Sequence, residues 1–294
     1  MSIKEHISEI FLNKSNSYKF YKDHYNKNNK NNKNNKELKK QNSDLKEEIS
    51  NKEELITALM YGNKYEEDSL KYCPNCDKIS YFEPFGIIPR KNAKCPICNS
   101  LERDRFFSLI LKKRFPQIFE NSCNLLHFAP EENFYKVFSE SENIDYYPVD
   151  INPERYGRKN MNIRAKVNME NIPYDDCTFD YIYNSHVLEH VPDDIKAMGE
   201  LKRVLKDDGI CLLTVPLFNI PTTLEKEEYN TPELRLKYYG QADHLRKYGN
   251  DFKERLESVG FNVEEITPKN IENDANKRII FSLNDDERFF ICKK

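Results

Sequence analysis

Glycine is scarce in this 294-residue chain, with 8 residues at positions 62, 86, 157, 199, 209, 240, 249 and 260. Their spacing admits neither G-x-G-x-x-G nor G-x-x-x-x-G-K-[ST], so the ordinary dinucleotide fingerprint and the P-loop are both excluded. Long apolar runs are lacking too. The longest nearly apolar stretch, Ile210 to Phe218, is broken by Thr214 and Pro216. It falls far short of the roughly 20 residues that a membrane-spanning helix needs. The opening Met1-Ser2-Ile3-Lys4-Glu5-His6 lacks the apolar segment of a secretory signal, so a cytoplasmic protein without membrane contact is expected. Charge of one sign is lacking as well. Lys+Arg 46 against Asp+Glu 49 gives a formal net charge of -3, which argues against a chain that coats nucleic acid along its whole length.

That balance hides an asymmetry. Between Lys14 and Lys52, 11 lysines face 5 acidic residues, and every residue from Asn26 to Asn35 is Asn or Lys. Such a run cannot bury enough apolar area to offset its ordering entropy and reads as a solvated linker or a frayed helix. Before it, Ile3, Ile7, Ile10 and Phe11 follow the stripe of an amphipathic helix. Beyond it, Leu38, Asn42, Leu45, Ile49, Lys52, Ile56 and Leu59 alternate by four and three. Read as heptad positions, they suit a homodimer through residues 38–60; a polar helix resting on its own domain fits the same pattern.

Cys73-Pro-Asn-Cys76 and Cys95-Pro-Ile-Cys98 form C-x2-C-x18-C-x2-C. Each knuckle presents two thiolates, and two knuckles complete the tetrahedral set that structural zinc requires. A pair of redox motifs is the rival reading, but neither pair opens a helix in a strand–helix unit. A closed four-thiolate site keeps no open position, so this metal would organise fold or docking. Cys123, Cys177, Cys211 and Cys292 are scattered and read as packing residues.

After the cysteines the pattern predicts a helix from Leu101 to Phe115, and then strands alternating with helices. Strands are predicted at 124–128, 144–149, 163–167, 179–184, 210–215, 261–267 and 288–292, with helices at 131–138, 193–205 and 250–258. This alternation means an α/β fold with a mostly parallel, Rossmann-like sheet whose ligand crevice lies at the carboxyl ends of the first four strands. The predicted organisation is a helical extension over 1–69, a zinc ribbon over 70–100 and an α/β domain over 101–294.

The strand ends carry a specific order. They read His127-Phe128-Ala129-Pro130-Glu131, then Tyr147-Pro148-Val149-Asp150, then Val167-Asn168-Met169-Glu170, then Asn184-Ser185-His186-Val187-Leu188-Glu189-His190. Ser100 to Arg103 reads Ser-Leu-Glu-Arg, and Gly240 to Gly249 reads G-Q-x-D-H-x-R-x-Y-G. Across residues 70 to 294 this resembles class I S-adenosylmethionine-dependent methyltransferases with their seven-stranded sheet, within the group that prefixes the fold with a C-P-x-C…C-P-x-C ribbon. The resemblance implies S-adenosylmethionine as cofactor. It places Phe128, Ala129, Pro130 and Glu131 by the methionine moiety, Asp150 on the ribose hydroxyls, and Asn168 and Met169 by the adenine. Asn184 and Ser185 would line the same crevice, His186 with them. The chain departs from the family in having no glycine in the first-strand loop and Asn in place of Asp at position 168, although an amide oxygen still accepts the adenine hydrogen bond.

His186-Val-Leu-Glu189-His190 also spells H-x-x-E-H, a zinc-hydrolase pattern. That motif needs a long continuous helix and a third ligand, whereas Pro192 follows two residues later, so the match reads as accidental. Methyl transfer to a hydroxyl needs a base near neutrality. His244 is the expected base, with Asp243 orienting it, Arg246 anchoring an anionic acceptor, and His186 and His190 as rival bases. The insertion from Asn219 to Gly240 could cover the crevice. The expected activity is methylation of an oxygen or nitrogen on a small-molecule or glycan-type acceptor. RNA methylation, with the ribbon and Lys-rich arm as footing, and a non-catalytic scaffold are the alternatives.

Overall fold

A computed structural model describes residues 70–86 and 88–294. The readings made for residues 1–69, including dimerisation through 38–60, lie outside the described residues. The chain divides into two compact units. One ends at Glu120 and reclaims Ile271–Asn284; the other comprises Asn121–Asn270 and Asp285–Lys294. The first unit thus extends past the expected ribbon and takes in a distant segment.

In the first unit, β1 (Lys71–Cys73) pairs with β2 (Lys78–Ser80), and β3 (Glu83–Phe85) with β4 (Arg90–Lys94), both antiparallel. Helix α1 (Glu102–Arg114) follows. Its entry is capped by Asp104, whose carboxylate accepts from the Leu101 amide at 2.9 Å. Arg105 explains why α1 sits in this unit. Its fully buried guanidinium donates to the carbonyls of Ala93 (3.0 Å), Ser100 (2.9 Å), Phe281 (2.8 Å) and Ser282 (2.6 Å). One side chain therefore ties β4, the second cysteine knuckle and the returning 271–284 segment to α1.

The second unit holds the sheet. Its strands are β5 (Cys123–Phe128), β6 (Ile144–Asp150), β7 (Ala165–Lys166), β8 (Phe179–Ser185), β9 (Leu205–Thr214), β10 (Asn262–Ile266) and β11 (Phe289–Lys293). Their spatial order is β10-β11-β9-β8-β5-β6-β7. Neighbours from β7 across to β9 run parallel, and β11 alone is reversed between β9 and β10. This is the Rossmann-like α/β methyltransferase arrangement anticipated above. Its central strands are apolar along their length, with Leu125, Leu126, Phe128, Ile182, Leu212 and Leu213 all buried, as strands covered on both faces must be.

Helices α2 (Glu132–Ser139), α3 (Asp194–Val204), α4 (Pro232–Tyr239) and α5 (Phe252–Ser258) belong to this unit as well. Two strands depart from expectation. The predicted 163–167 strand is regular only at Ala165 and Lys166, although the Arg164 and Val167 amides also donate to the Pro148 and Asp150 carbonyls. β9 starts at Leu205 instead of 210, because Leu205 already pairs with Phe179 before a bulge restores register at Ile210 opposite Tyr181. The strand order reverses between β5 and β8, which puts the crevice at their carboxyl ends.

Candidate functional site

The two cysteine knuckles are built alike. The Cys73 carbonyl accepts from the Asp77 amide at 2.8 Å, and the Cys95 carbonyl from the Asn99 amide at 2.9 Å. Asp77 and Asn99 both take positive φ, 55° and 59°, a conformation that short polar side chains tolerate. The four sulfurs converge within 4.8 Å, with Cys73–Cys98 at 3.6 Å and Cys76–Cys95 at 3.9 Å. A tetrahedral cation with 2.3 Å bonds to sulfur would hold them about 3.8 Å apart. All four thiols are free. Hydrogen bonding with Cys95 and Cys98, then burial, pushes the Cys73 thiol far above its ordinary range, while hydrogen bonds from Cys73 and Cys95 hold Cys98 well below it. Four thiolates at this separation repel one another unless a cation sits among them. Ser100 Oγ lies 3.2 Å from both Cys73 and Cys98, and Asn75 donates to Cys98 at 3.6 Å. The Ser-Leu-Glu-Arg stretch thus begins on the cysteine centre, and its Glu102 accepts two bonds from Arg90, at 2.9 and 3.1 Å.

In the second unit, the carboxyl ends of β5, β6 and β8 bring Phe128, Asp150, Asn184 and Ser185 onto adjacent parallel strands. The missing glycine of the first loop has a conformational substitute. Ala129 itself adopts φ 50°, and His186 at the end of β8 adopts φ 53°. Non-glycine residues held in this region cost energy and gather at functional sites. Both extend their strands by one bond, Ala129 to Val149 and His186 to Thr214, each at 2.9 Å. Asn184 and Ser185 are buried, and Asn184 Oδ1 and Ser185 Oγ find no hydrogen-bond partner among the described residues. Asn184 donates to the Met169 sulfur at 3.4 Å. Such orphaned acceptors beside two strained turns suit a polar ligand.

The Asp150 carboxylate is buried and already engaged. It accepts from the Asn152 amide (2.7 Å) and the Tyr156 hydroxyl (2.8 Å) and pairs with Arg155 at 2.6 Å. Sequence reading missed both Tyr156 and Arg155; they lie in the short 3-10 helix Pro153–Lys159, which carries no apolar periodicity. Asn168 is exposed, and its side-chain oxygen accepts from the Glu170 amide at 3.0 Å. Pro130 is buried, and Glu131 lies 3.0 Å from His127 Nε2 at the entry to α2.

The segment after β8 makes a single turn, Leu188–His190, before α3. It offers no continuous helix for a hydrolase motif. His244 is 3% exposed, and burial, reinforced by His190, lowers its pKa below the ordinary histidine range. One ring nitrogen bonds the Tyr239 backbone, while Nδ1 has no hydrogen-bond partner among the described residues. Asp243, expected to orient His244, instead lies 3.4 Å from His190 Nδ1. Arg246 departs further from expectation. It is 1% exposed and donates to the carbonyls of Leu188 (2.9 Å), Val191 (2.5 Å) and Pro192 (2.8 Å) and to Glu225 (2.7 Å). A guanidinium so committed fastens the 188–192 turn and is not offered to an acceptor. Tyr248 and Gly249 serve the same region. The Tyr248 hydroxyl donates to Asp194 at 2.8 Å, and a Cβ on Gly249 would stand 2.7 Å from the Ile220 carbonyl oxygen. The 219–240 insertion is therefore fastened onto the Gly240–Gly249 segment.

Residues 106–266, more than half the chain, match the family model described as a methyltransferase domain. An uncharacterized protein of Methanocaldococcus jannaschii is 33% identical over 130 residues, covering 42% of this chain and 52% of that protein. Sarcosine/dimethylglycine N-methyltransferase of Halorhodospira halochloris is 30% identical over 100 residues, covering 33% of this chain and 32% of that enzyme. The chain thus spans about half the length of the first of these relatives and about a third of the second. A solved SAM-dependent methyltransferase of Archaeoglobus fulgidus aligns with TM-score 0.44 at 16% identity, covering 64% of this chain and 93% of that one.

Proposed function

This chain belongs to the methyltransferase-domain family, and from that premise we propose that it methylates an oxygen or nitrogen of a small-molecule or glycan-type acceptor, using S-adenosylmethionine. The observation that carries the reading is the group of buried, unpartnered Asn184 and Ser185 oxygens at the carboxyl end of β8, beside the left-handed Ala129 and His186. These residues fit a nucleoside with an amino-acid arm. Asp150 would take the ribose hydroxyls in place of its own tyrosine and arginine partners, and Asn168 and Met169 would meet the adenine. The Phe128–Glu131 backbone, with Asn184 and Ser185, would hold the methionine part. The cofactor supplies a sulfonium-bound methyl group open to in-line displacement, for which placement supplies much of the acceleration. A relative named for sarcosine and dimethylglycine is consistent with a small acceptor.

The chain's own residues then position the acceptor and receive its proton. His244 Nδ1, a lone pair without a partner among the described residues, is the proposed proton acceptor, with His190 and His186 at the same turn. The proposed role of Arg246 is to position this turn. The four cysteines of the first unit would hold a structural zinc, supported by sulfur separations that match a tetrahedral ion.

Calorimetric titration with S-adenosylhomocysteine, followed by an acceptor screen, tests the reading. Stoichiometric binding is expected. No binding would overturn it in favour of a scaffold, and nucleic acid co-purifying with the protein, read as an absorbance ratio, would favour RNA as acceptor. His244→Ala should leave that binding intact and lower turnover about 10²-fold or more.

A further inference from the structure

The H-x-x-E-H segment leaves one observation unexplained. Glu189, His190 and His244 each present one ligand atom, and these atoms lie within 4.8 Å of one another. Glu189 and His190 close the short turn after β8, while His244 comes from the loop beyond α4. The two stretches are locked together: the Leu245 amide donates to the Glu189 carbonyl at 2.8 Å, and Arg246 grips the carbonyls on either side. The His190 and His244 rings meet edge to face with centroids 4.8 Å apart.

The burial of these donors is uneven in a telling way. Glu189 is 1% exposed, whereas His190 lies partly open to solvent. A carboxylate at that depth costs several kcal/mol unless positive charge stands beside it. The His186 imidazole approaches it at 3.5 Å. His244 Nδ1 is buried and has no hydrogen-bond partner among the described residues, and one of the ring nitrogens of His244 lies within this cluster. A proton could bridge one pair of these donors; a single metal ion serves all three.

We propose that Glu189, His190 and His244 bind one divalent transition-metal ion, leaving a coordination position open for an oxygen of the acceptor. Two imidazoles with one carboxylate suit zinc, iron, cobalt or nickel in preference to magnesium or calcium. Three protein ligands with an open fourth position are the arrangement of catalytic zinc, in contrast to closed structural sites. Bonds of about 2.1 Å would draw tetrahedral donors to about 3.4 Å apart, a modest contraction of side chains already in place. The consequence for the acceptor rests on the methyl-transfer reading; the cation site itself does not. With the ion bound, His244 and His190 would be ligands in place of proton acceptors, and a hydroxyl at the open position would instead lose its proton to solvent near neutral pH, the electron pair staying on oxygen, as bound zinc brings water to a pKa of about 7.

The test uses the full chain with its cysteine centre filled with zinc, titrated with Co²⁺. Visible d–d absorption should appear and saturate at one equivalent, without the near-ultraviolet thiolate-to-cobalt charge-transfer band. His244→Ala and Glu189→Gln should each weaken cobalt binding about a hundredfold or more, since even supporting residues of metal sites cost 10–100-fold. His190→Ala, at a partly exposed position, should do the same and keeps the test decisive if the buried variants misfold. Unchanged S-adenosylhomocysteine affinity shows that a variant is folded. Absence of the d–d bands in the wild type, or their persistence at full affinity in the folded variants, overturns the site. Cobalt bound here by a protein that takes no S-adenosylhomocysteine would uphold the site and overturn the methyl-transfer reading.

Discussion

The cysteine centre and the Glu189–His190–His244 cluster both gather metal-type donors, but they are assembled in opposite ways. In the first unit, two knuckles of identical local geometry supply all four ligands, and the sulfurs are already 3.6–3.9 Å apart in opposing pairs. Ser100 and Asn75 complete the surroundings, so the centre is closed. In the second unit, three ligands come from two distant stretches, and one of them remains partly open to solvent. A closed set can stabilise a fold but has no position for a substrate. An open set can meet a substrate, and its own geometry depends on the surrounding fold, here on Arg246 and the Leu245 amide.

This contrast can be broken most severely in the cysteine centre. On the proposed zinc reading, Cys95→Ser should abolish zinc binding and the cooperative folding of the first unit, because structural zinc contributes on the order of 10 kcal/mol. Elemental analysis and thermal unfolding check this, and loss of solubility should precede loss of S-adenosylhomocysteine affinity. A variant retaining a full equivalent of zinc would show that the centre is not closed by four ligands.

Next in size is Arg105→Met. It leaves the buried carbonyls of Ala93, Ser100, Phe281 and Ser282 without their donor. A loss of about 3–5 kcal/mol is expected in denaturant unfolding, since several buried carbonyls are left without a donor at about 1–3 kcal/mol each, less any that find another partner. An effect below 1 kcal/mol would mean that the 271–284 segment is held by other means.

In the crevice, Asp150→Ala should weaken S-adenosylhomocysteine binding by about 2 kcal/mol or more, roughly thirtyfold, since charge-assisted hydrogen bonds are lost. Calorimetry decides. An unchanged affinity would leave the carboxylate as a support for Tyr156 and Asn152 alone.

The smallest expected effect is that of Ala129→Gly. Relief of φ 50° is worth about 1–2 kcal/mol, offset by glycine's entropic cost of about 0.5–1 kcal/mol. A net rise in stability of up to about 1 kcal/mol should show as a slightly higher Tm. A fall would mean that the Ala129 methyl group is packed, and that the turn is shaped by contact instead of strained for a ligand.

Much of this was legible from spacing. The C-x2-C pairs located the cysteine centre because each knuckle is a local turn, and alternating apolar runs located six of the seven strands to within about two residues at most ends. β9 escaped, starting five residues early, because its first pairing depends on Phe179 across the sheet and not on its own periodicity. Asp150, Asn184 and Ser185 were placed correctly at strand ends, since chain direction alone determines which end faces the crevice. The role of Arg246 was not legible. Its partners, Leu188, Val191, Pro192 and Glu225, are backbone carbonyls and an acid far away in sequence, and no motif records them.

The chain by itself determined what depends on short-range geometry: two metal-type knuckles, a run of parallel strands, and an acidic residue at the end of the second. Only the tertiary structure decided that α1 belongs with the cysteine unit, because Arg105 binds carbonyls that lie up to 177 positions away. It alone decided that Ala129 takes a glycine's conformation, since backbone strain is sustained by packing and not by residue type. It also brought His244 against Glu189 and His190. The local pattern H-x-x-E-H named two of those three residues, but a ligand contributed from a distant loop has no spacing to betray it, and its position is set by the hydrogen bonds that fasten that loop to the turn.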